Sequence, residues 1–502
     1  MPAYTITPQD ILFFRDGRPM EAGAGSGGHG ARWPEPSVIF DALHAALHRA
    51  FPEVERTAEG EPTWEHEHRF GRSSNRDMGR QRTQRFGSLA TAGPFPVLAG
   101  TGRPPAAGGW LFPRSQDVTT HDSLAPALLP LKHPAGHSDL PAPLRYPLAS
   151  RAEPAKDEPL PWWTKPAVEA YLNSENLADP ARWAFSDEDL FVREWHTGIA
   201  IDPDTQTTGQ GEAAGRIYAA QYLRLCDGVH LGIHATMPRE YEPQHLLEEL
   251  ITKLFPASRT LIVGGQQRCC HVEAIEHEGR PLRLSDLLPV SQAVSGERVK
   301  WLLLAPAVFP AVAGGAVERP DGTTVQINSH TGGWLPNWVA PHDGFQVARG
   351  KGAEAVERGR VLLKAEISRN GQPRDGWRKR VQEAPFLDCR LVAARIPKPI
   401  VLTGWTERLH LLHHEKTDGG EDLKHGPHPT LLAVPAGAVY YFEGKDAPRL
   451  AHILSWHGDP KAEDFGLIIK NRRSALLGEK GYGLGVCGTW DFYENVAGRP
   501  PS

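Results

Sequence analysis

Apolar and polar positions alternate at the start of the chain in AYTITPQDILFF and then become fully apolar, as in a partly buried strand. A Gly-rich stretch follows. Val38, Ile39, Ala42, Leu43, Ala46, Leu47 and Ala50 then recur at helical spacing, with Pro36 and Ser37 as a start signal. Strand-like runs return at 93–98 and 109–113, whereas 115–185 is rich in Pro, Ala and His, has weak periodicity and reads as an insertion. GRIYAAQYLRLCDGVHLGIHA predicts two strands joined at Asp227-Gly228. EPQHLLEELITKLF places Leu246, Leu247, Leu250, Ile251 and Leu254 on one helical face, and RTLIVGGQQRCCHVEAI predicts two strands around a Gly-Gly turn. The order strand, helix, two strands, helix, strand is the βαββαβ pattern of a ferredoxin-like domain.

A second series opens with RVKWLLLAPAVF and continues through RLVAARIPKPIVLTGW, TLLAVPAGAVYYFE, the helical APRLAHILSW and the closing KGYGLGVCGTW. The pattern predicts an α+β protein of two related domains. They span 1–290, with insertions near 55–85 and 115–185, and 291–502, with an insertion near 310–380. Strands and helices do not alternate as a single parallel α/β sheet requires.

Composition refines this picture. Gly (51) and Pro (45) make up about a fifth of the 502 residues, which predicts many long loops on a folded scaffold. The five cysteines form no CxxC pair and are odd in number, arguing for a reducing compartment and against a disulfide framework. No signal peptide opens the chain and no apolar run approaches about 18 residues, so a cytoplasmic protein without membrane association is expected.

Net charge is −5, so a nucleic-acid surface must be a local patch. RFGRSSNRDMGRQRTQRF (69–86) holds six arginines, Arg80, Arg82 and Arg85 among them, against one acid. With its two aromatics it suits phosphate contacts and stacking on unpaired bases. The segment 358–380 holds eight basic residues and two acids. For either segment a solvated loop is the competing reading.

Gly23, Gly25 and Gly28 spell GxGxxG, but His29, Gly30, Arg32, Trp33 and Pro34 intervene before the helix. A dinucleotide site needs that turn to open directly into the helix. A nucleotide-cofactor enzyme is therefore disfavoured, and no cofactor is expected. VGGQQR (263–268) and GYGLG (481–485) are further glycine turns beside strands, able to approach phosphates or simply to turn the chain. The loop 410–428 gathers His410, His413, His414, His425 and His428, but their spacing matches no closed metal site. His29 is the natural candidate for a histidine-dependent endoribonuclease, although no partner group is visible in the sequence.

Several stretches together resemble one family. ILFFRDGRP with its Gly-rich loop and WPEPS is similar to the start of the third subunit of the Cmr complex, a RAMP-superfamily protein of type III-B CRISPR effectors. In order follow HTGIAIDPDTQTTGQGEAAGRIYAAQYLRL, LIVGGQQR, WLLLAPAVFP, VLTGW, PHPTLLAVPAGAVYYFE and GYGLG. The chain departs from the family in its extra insertions, in FDALH at the first helix and in Gln266-Gln267-Arg268 at the glycine turn.

The resemblance implies two ferredoxin-like (RRM-like) domains with long inserted loops and no catalytic centre. It also implies a grip on the 5′ handle of the crRNA, and contacts with the large polymerase/cyclase-like subunit and the backbone RAMP subunit. Target RNA is met only indirectly. Candidate RNA contacts are Arg15, Arg18, Arg32 and Trp33 from the first loop; Gly264, Gly265 and Arg268; Gly481, Tyr482 and Gly483; and Arg80, Arg82 and Arg85.

Overall fold

In strand β1 (Ala3–Pro8), Tyr4 and Ile6 lie on one face and Ala3 and Thr5 on the other, and all four are buried. Both faces of the first sheet must therefore be covered. The computed structural model describes residues 3–16, 27–50, 89–99, 109–121, 123–132, 139–151, 159–199, 201–202, 204–208, 217–236, 254–255, 260–277, 280–282, 284–289, 294–318, 324–349, 352–363, 385–403, 405–406, 426–427, 430–454 and 477–494.

Helix α1 (Pro36–Ala50) begins on a proline whose fixed φ suits a first helical position, and buries Ile39, Leu43, Ala46 and Leu47. Strand β2 (Ala90–Leu98) follows. A small unit comes next, in which β3 (Leu111–Pro113), β4 (Trp162–Thr164) and β5 (Ala184–Phe185) pair in that order. Helix α2 (Lys165–Asn173) lies between β4 and β5 and buries Ala167, Val168, Ala170, Tyr171 and Leu172. Strands β6 (Phe191–Ile199) and β7 (Ile217–Leu225) form a nine-rung antiparallel ribbon. Then come β8 (Val229–Thr236), β9 (Thr260–Val263) and β10 (Arg268–His277). The first sheet has the antiparallel order β9-β10-β1-β8-β2.

The second sheet uses β11 (Arg298–Leu303), β12 (Arg360–Leu362), β13 (Phe386–Arg395), β16 (Val439–Glu443) and β17 (Gly485–Gly488). Its order is β12-β13-β16-β11-β17. A side ribbon pairs β14 (Ile400–Leu402) with β15 (Leu431–Ala433), and helix α3 (Ala447–Leu454) follows β16. The fold is thus mixed α/β, dominated by sheet with few helices. Numbered along the chain, four strands of each sheet stand in the spatial order four-one-three-two: β10-β1-β8-β2 and β17-β11-β16-β13.

The two strands expected to join at Asp227-Gly228 are β7 and β8. A tight turn forms there, with Gly228 at φ +76° and Val229 N–H donating to Cys226 C=O at 3.0 Å. Its two arms then diverge, β7 pairing with β6 and β8 with β2. Besides β1, β8 pairs with the strand read at 93–98, and all of 99–228 lies between those two. The inserted unit decides this outcome, because β7 gains nine rungs with β6 that a local hairpin would forfeit.

One face of the first sheet packs Tyr4, Ile6, Leu231, Ile233 and Val272 against α1. One face of the second packs Tyr440, Phe442 and Leu391 against α3 and Trp338. The remaining two faces share one core with the inserted unit: Ala3, Phe95 and Ile275 from the first sheet, Leu302, Val439 and Tyr441 from the second, and Trp110, Phe112, Trp163 and Tyr171 between them. Leu124 of the apolar stretch at 123–131 belongs there too, and Ala127 and Leu129 of the same stretch are buried.

At the centre of this layer Asp117 is fully buried. Its Oδ1 accepts from Ser115 Oγ at 2.6 Å, and its Oδ2 from the Tyr171 and Tyr441 hydroxyls at 2.8 and 2.7 Å. Lys300 is also buried and points its Nζ at the Tyr171 ring, 3.6 Å from the centroid. Burial pushes the Lys300 ammonium down to about 8, and the Asp117 charge opposes that fall. Burial, then the Asp117 carboxylate, holds both tyrosines well above the usual phenol range.

Candidate nucleic-acid interface

Loop 1 leaves the first sheet after the apolar run 11–14 and returns at 27–33. Its base is closed by an Arg15–Gly30 bridge, in which Asp16 N–H donates to His29 C=O at 3.0 Å and Ala31 N–H to Phe14 C=O at 2.6 Å. Both strands of the base are fastened to β7. Leu12 and Leu223 exchange N–H···O=C bonds of 2.8 Å, and Gly28 N–H donates to Ala219 C=O at 2.6 Å. Residues 219, 221 and 223 share one edge of β7, so both arms of the loop add to the edge opposite β6.

On the returning side, Trp195 of β6 is 51% exposed, with the His29 ring meeting it edge-on at 5.4 Å. Gly27 lies against the same indole, and a Cβ there would stand 2.9 Å from the ring, so a larger residue would have to displace the exposed indole. On the outgoing side, Tyr222 packs against Phe13 at 5.3 Å and His196 at 4.9 Å. Its hydroxyl donates to Gln266 Oε1 at 2.6 Å. The glycine turn between β9 and β10 thus reaches the ribbon.

That turn has an unusual backbone: Gly264, Gln266 and Gln267 all have positive φ, at 71°, 59° and 51°. Gly265 N–H donates to Phe13 C=O at 2.9 Å, and a Cβ on Gly264 would stand 2.7 Å from the same carbonyl oxygen. Gly264→Ala is expected to cost about 1–3 kcal/mol from its positive-φ extended conformation and the close contact, measured by urea unfolding. Arg268 closes the turn. Its guanidinium lies 5.3 Å from the Tyr222 centroid and Nη2 donates to Gln266 Oε1 at 3.0 Å, while Nε is buried with no partner among the described residues.

Acids on the ribbon are neutralised locally. Arg224 binds Glu194 and Asp10, at 2.9 Å to Asp10 Oδ1, and the hydrogen bonds from Arg224 and then His196 hold the Glu194 carboxyl down to about 2. Arg193 is exposed beside the Phe191 ring. The assembled surface offers an exposed indole, guanidinium groups and close-approach glycine backbone, which is the equipment for holding a single strand by stacking and phosphate contacts.

The structure brings Arg15, Gly264, Gly265 and Arg268 together around this ribbon. Arg32 stands at the edge, ion-paired to Asp187, which also accepts from Trp162 Nε1 at 2.9 Å. Trp33 has a packing role: its Nε1 donates to Pro94 C=O at 2.9 Å and its ring meets Trp162 and Phe191 at 5.5 and 6.0 Å. Gly481, Tyr482 and Gly483 are buried, and Tyr482 Oη lies 3.2 Å from Ser37 Oγ at the start of α1. Arg18, Arg80, Arg82, Arg85 and the histidines of 410–428 lie outside the described residues.

Sequence reasoning missed Trp195 and Tyr222. The available signal was a tryptophan on the alternating segment FVREWHTGI, paired with a second alternating segment at 217–225.

The sequence matches the family model of "CRISPR-associated protein (Cas_Cmr3)" over residues 4–342, from β1 through both glycine loops and the ribbon into the second sheet's long insertion. The chain belongs to the Cas_Cmr3 family. No curated protein sequence matches this Cas_Cmr3-family chain. Among solved structures, a chain of "Type III-B Cmr-beta bound to cognate target RNA and AMPPnP" shares 11% identity, with 88% of this chain and 86% of that one covered and a TM-score of 0.30. A chain of the "Csm3-Csm4 subcomplex in the type III-A CRISPR-Cas interference complex" shares 10% identity over 89% and 95%, with a TM-score of 0.31. Among the described residues of this Cas_Cmr3-family chain, no helix is long and apolar enough to cross a membrane, and no group of His, Cys, Asp and Glu is arranged to hold a metal.

Proposed function

We propose that the chain is the non-catalytic RNA-binding subunit of a cytoplasmic type III-B CRISPR effector. It grips the 5′ handle of the crRNA and bridges the large polymerase/cyclase-like subunit to the backbone RAMP filament, meeting target RNA only through that guide. Membership of the Cas_Cmr3 family supports the setting. The observation that carries the grip is the convergence of loop 1, the exposed Trp195 and the Gly264–Arg268 turn on one ribbon.

The four-one-three-two strand orders support reading the halves 1–290 and 291–502 as two ferredoxin-like domains. In each, the sheet face opposite its helix contributes to the core around the inserted unit. RNA recognition is therefore assigned to loops and the ribbon, where splayed bases can be stacked and read.

Arg268→Ala tests the assignment in the reconstituted effector. Binding of handle-bearing RNA should weaken, and the slope of log K against log salt should shrink by about one phosphate contact. An unchanged slope and affinity would remove Arg268 from the RNA surface. Incubating the chain with repeat RNA in the absence of metal tests the non-catalytic half of the proposal, and intact RNA is expected.

A further inference from the structure

The glycine turn at 481–483 has work elsewhere than at the ribbon. It reaches across from the second half of the chain and rests on the start of α1 and on β2. Lys480 Nζ pairs with Asp41 Oδ1 at 2.7 Å and lies 5.0 Å from the Phe40 ring centroid. Gly481 has φ +98°, and a Cβ there would stand 3.0 Å from Thr91 C=O and 3.4 Å from the Pro36 ring. Tyr482 spans the joint. Its ring packs in a small cluster with Val308, Leu402 and Ala433 of the second half, and its hydroxyl meets Ser37 Oγ in the first.

Beside that hydroxyl sits Glu35, the residue immediately before α1. Its Oε2 is fully enclosed and has no hydrogen-bond partner among the described residues. Among the described residues, the charged and titratable groups around it are Tyr482 and Lys480 from the turn and Asp41 from α1, while Thr91 on β2 is uncharged. Lys480 is engaged by Asp41, so among the described residues no free cation neutralises a Glu35 carboxylate. A buried carboxylate with no cation beside it costs several kcal/mol, whereas a protonated carboxyl fits the same space and can donate a hydrogen bond.

We propose that Glu35, Ser37 and Tyr482 form a proton-dependent clasp between the two halves of the chain, closed while Glu35 carries its proton and loosened when it ionises. Burial, opposed by the Tyr482 hydrogen bond, raises the Glu35 carboxyl to about 7, which brings the transition near neutrality. The sign follows from linkage. A carboxyl raised in the folded state binds more protons there than in the open state. The clasp is therefore firmest in acid, weakens as pH climbs from the usual glutamate range to about 7, and stays weak above.

Hydrogen exchange on the full-length protein tests this, with rates corrected for intrinsic chemistry. Between about pH 6 and about pH 8.5, protection of the amides of 478–484 should fall about tenfold in the wild type and hold constant in Glu35→Gln. Constant wild-type protection, or a parallel fall in Glu35→Gln, overturns the proposal. Tyr482→Phe provides the second arm, deleting only the hydroxyl. Its protection at the acid end should already match the wild type at the alkaline end, and protection equal to the acid wild type refutes the clasp.

Discussion

Replacing Asp117 with Ala is expected to destabilise the chain by about 3–5 kcal/mol, the range for removing one member of a buried charged network. Three hydroxyls lose a common acceptor at once: Ser115, Tyr171 and Tyr441. Each buried donor left without a partner costs about 1–3 kcal/mol, although Ser115 Oγ can still donate to Tyr171 Oη at 2.9 Å. Lys300 meanwhile loses the negative charge that opposes its fall in pKa. Urea unfolding followed by tryptophan fluorescence is a direct readout, because Trp163 lies 5.8 Å from Tyr171 in the same core. Asp117→Asn keeps an acceptor and the side-chain volume, so about half of the loss should return. A loss below about 1 kcal/mol for Asp117→Ala would show that the network contributes no more than an average neutral hydrogen bond.

Trp195→Ala should weaken binding of handle-bearing RNA by about 10- to 50-fold, since one base stacked on an aromatic side chain is worth about 1–3 kcal/mol. The indole is 51% exposed and contributes little to the core, so stability should change by only about 0.5 kcal/mol. Trp195→Phe keeps a stacking face and should recover most of the affinity. Because stacking is uncharged, the loss should be nearly independent of salt, in contrast to that of Arg268→Ala. Filter binding at two salt concentrations separates the two contributions. Equal affinity of Trp195→Ala and wild type would shift the RNA path away from the ribbon.

Local signals located the elements whose partners are local. Helix α1 begins at the predicted Pro36, β9 and β10 flank the predicted Gly264-Gly265 turn, and α3 falls on the predicted helical segment. Pairing was less legible. Asp227-Gly228 does make the turn it advertises, but nothing local announces that β7 has a nine-rung partner upstream of a long connection. The inserted unit looked featureless because it packs between two sheets. Trp110, Trp163 and Tyr171 are buried there without a solvent face to impose a period.

The site was half legible for a related reason. Glycine marks a backbone that must approach something closely, and Gly264 does so against Phe13. Residue type alone cannot say whether that neighbour is RNA or protein. Trp33 and Tyr482 look like stacking rings in sequence, yet they close apolar clusters and bond Pro94 C=O and Ser37 respectively. Trp195 looks no different in sequence and remains exposed.

The pairing of β1 with β10 has a consequence for how this chain is born. Thr5 hydrogen-bonds to Glu273, 268 residues further on. At the usual pace of about 5–20 residues per second, a ribosome needs roughly 15–50 s to make that partner. Throughout that interval Tyr4 and Ile6 have no β10 to join, and the second half of the central core does not yet exist. Nascent β1 thus waits unpaired on that side until more than half of the chain has been made.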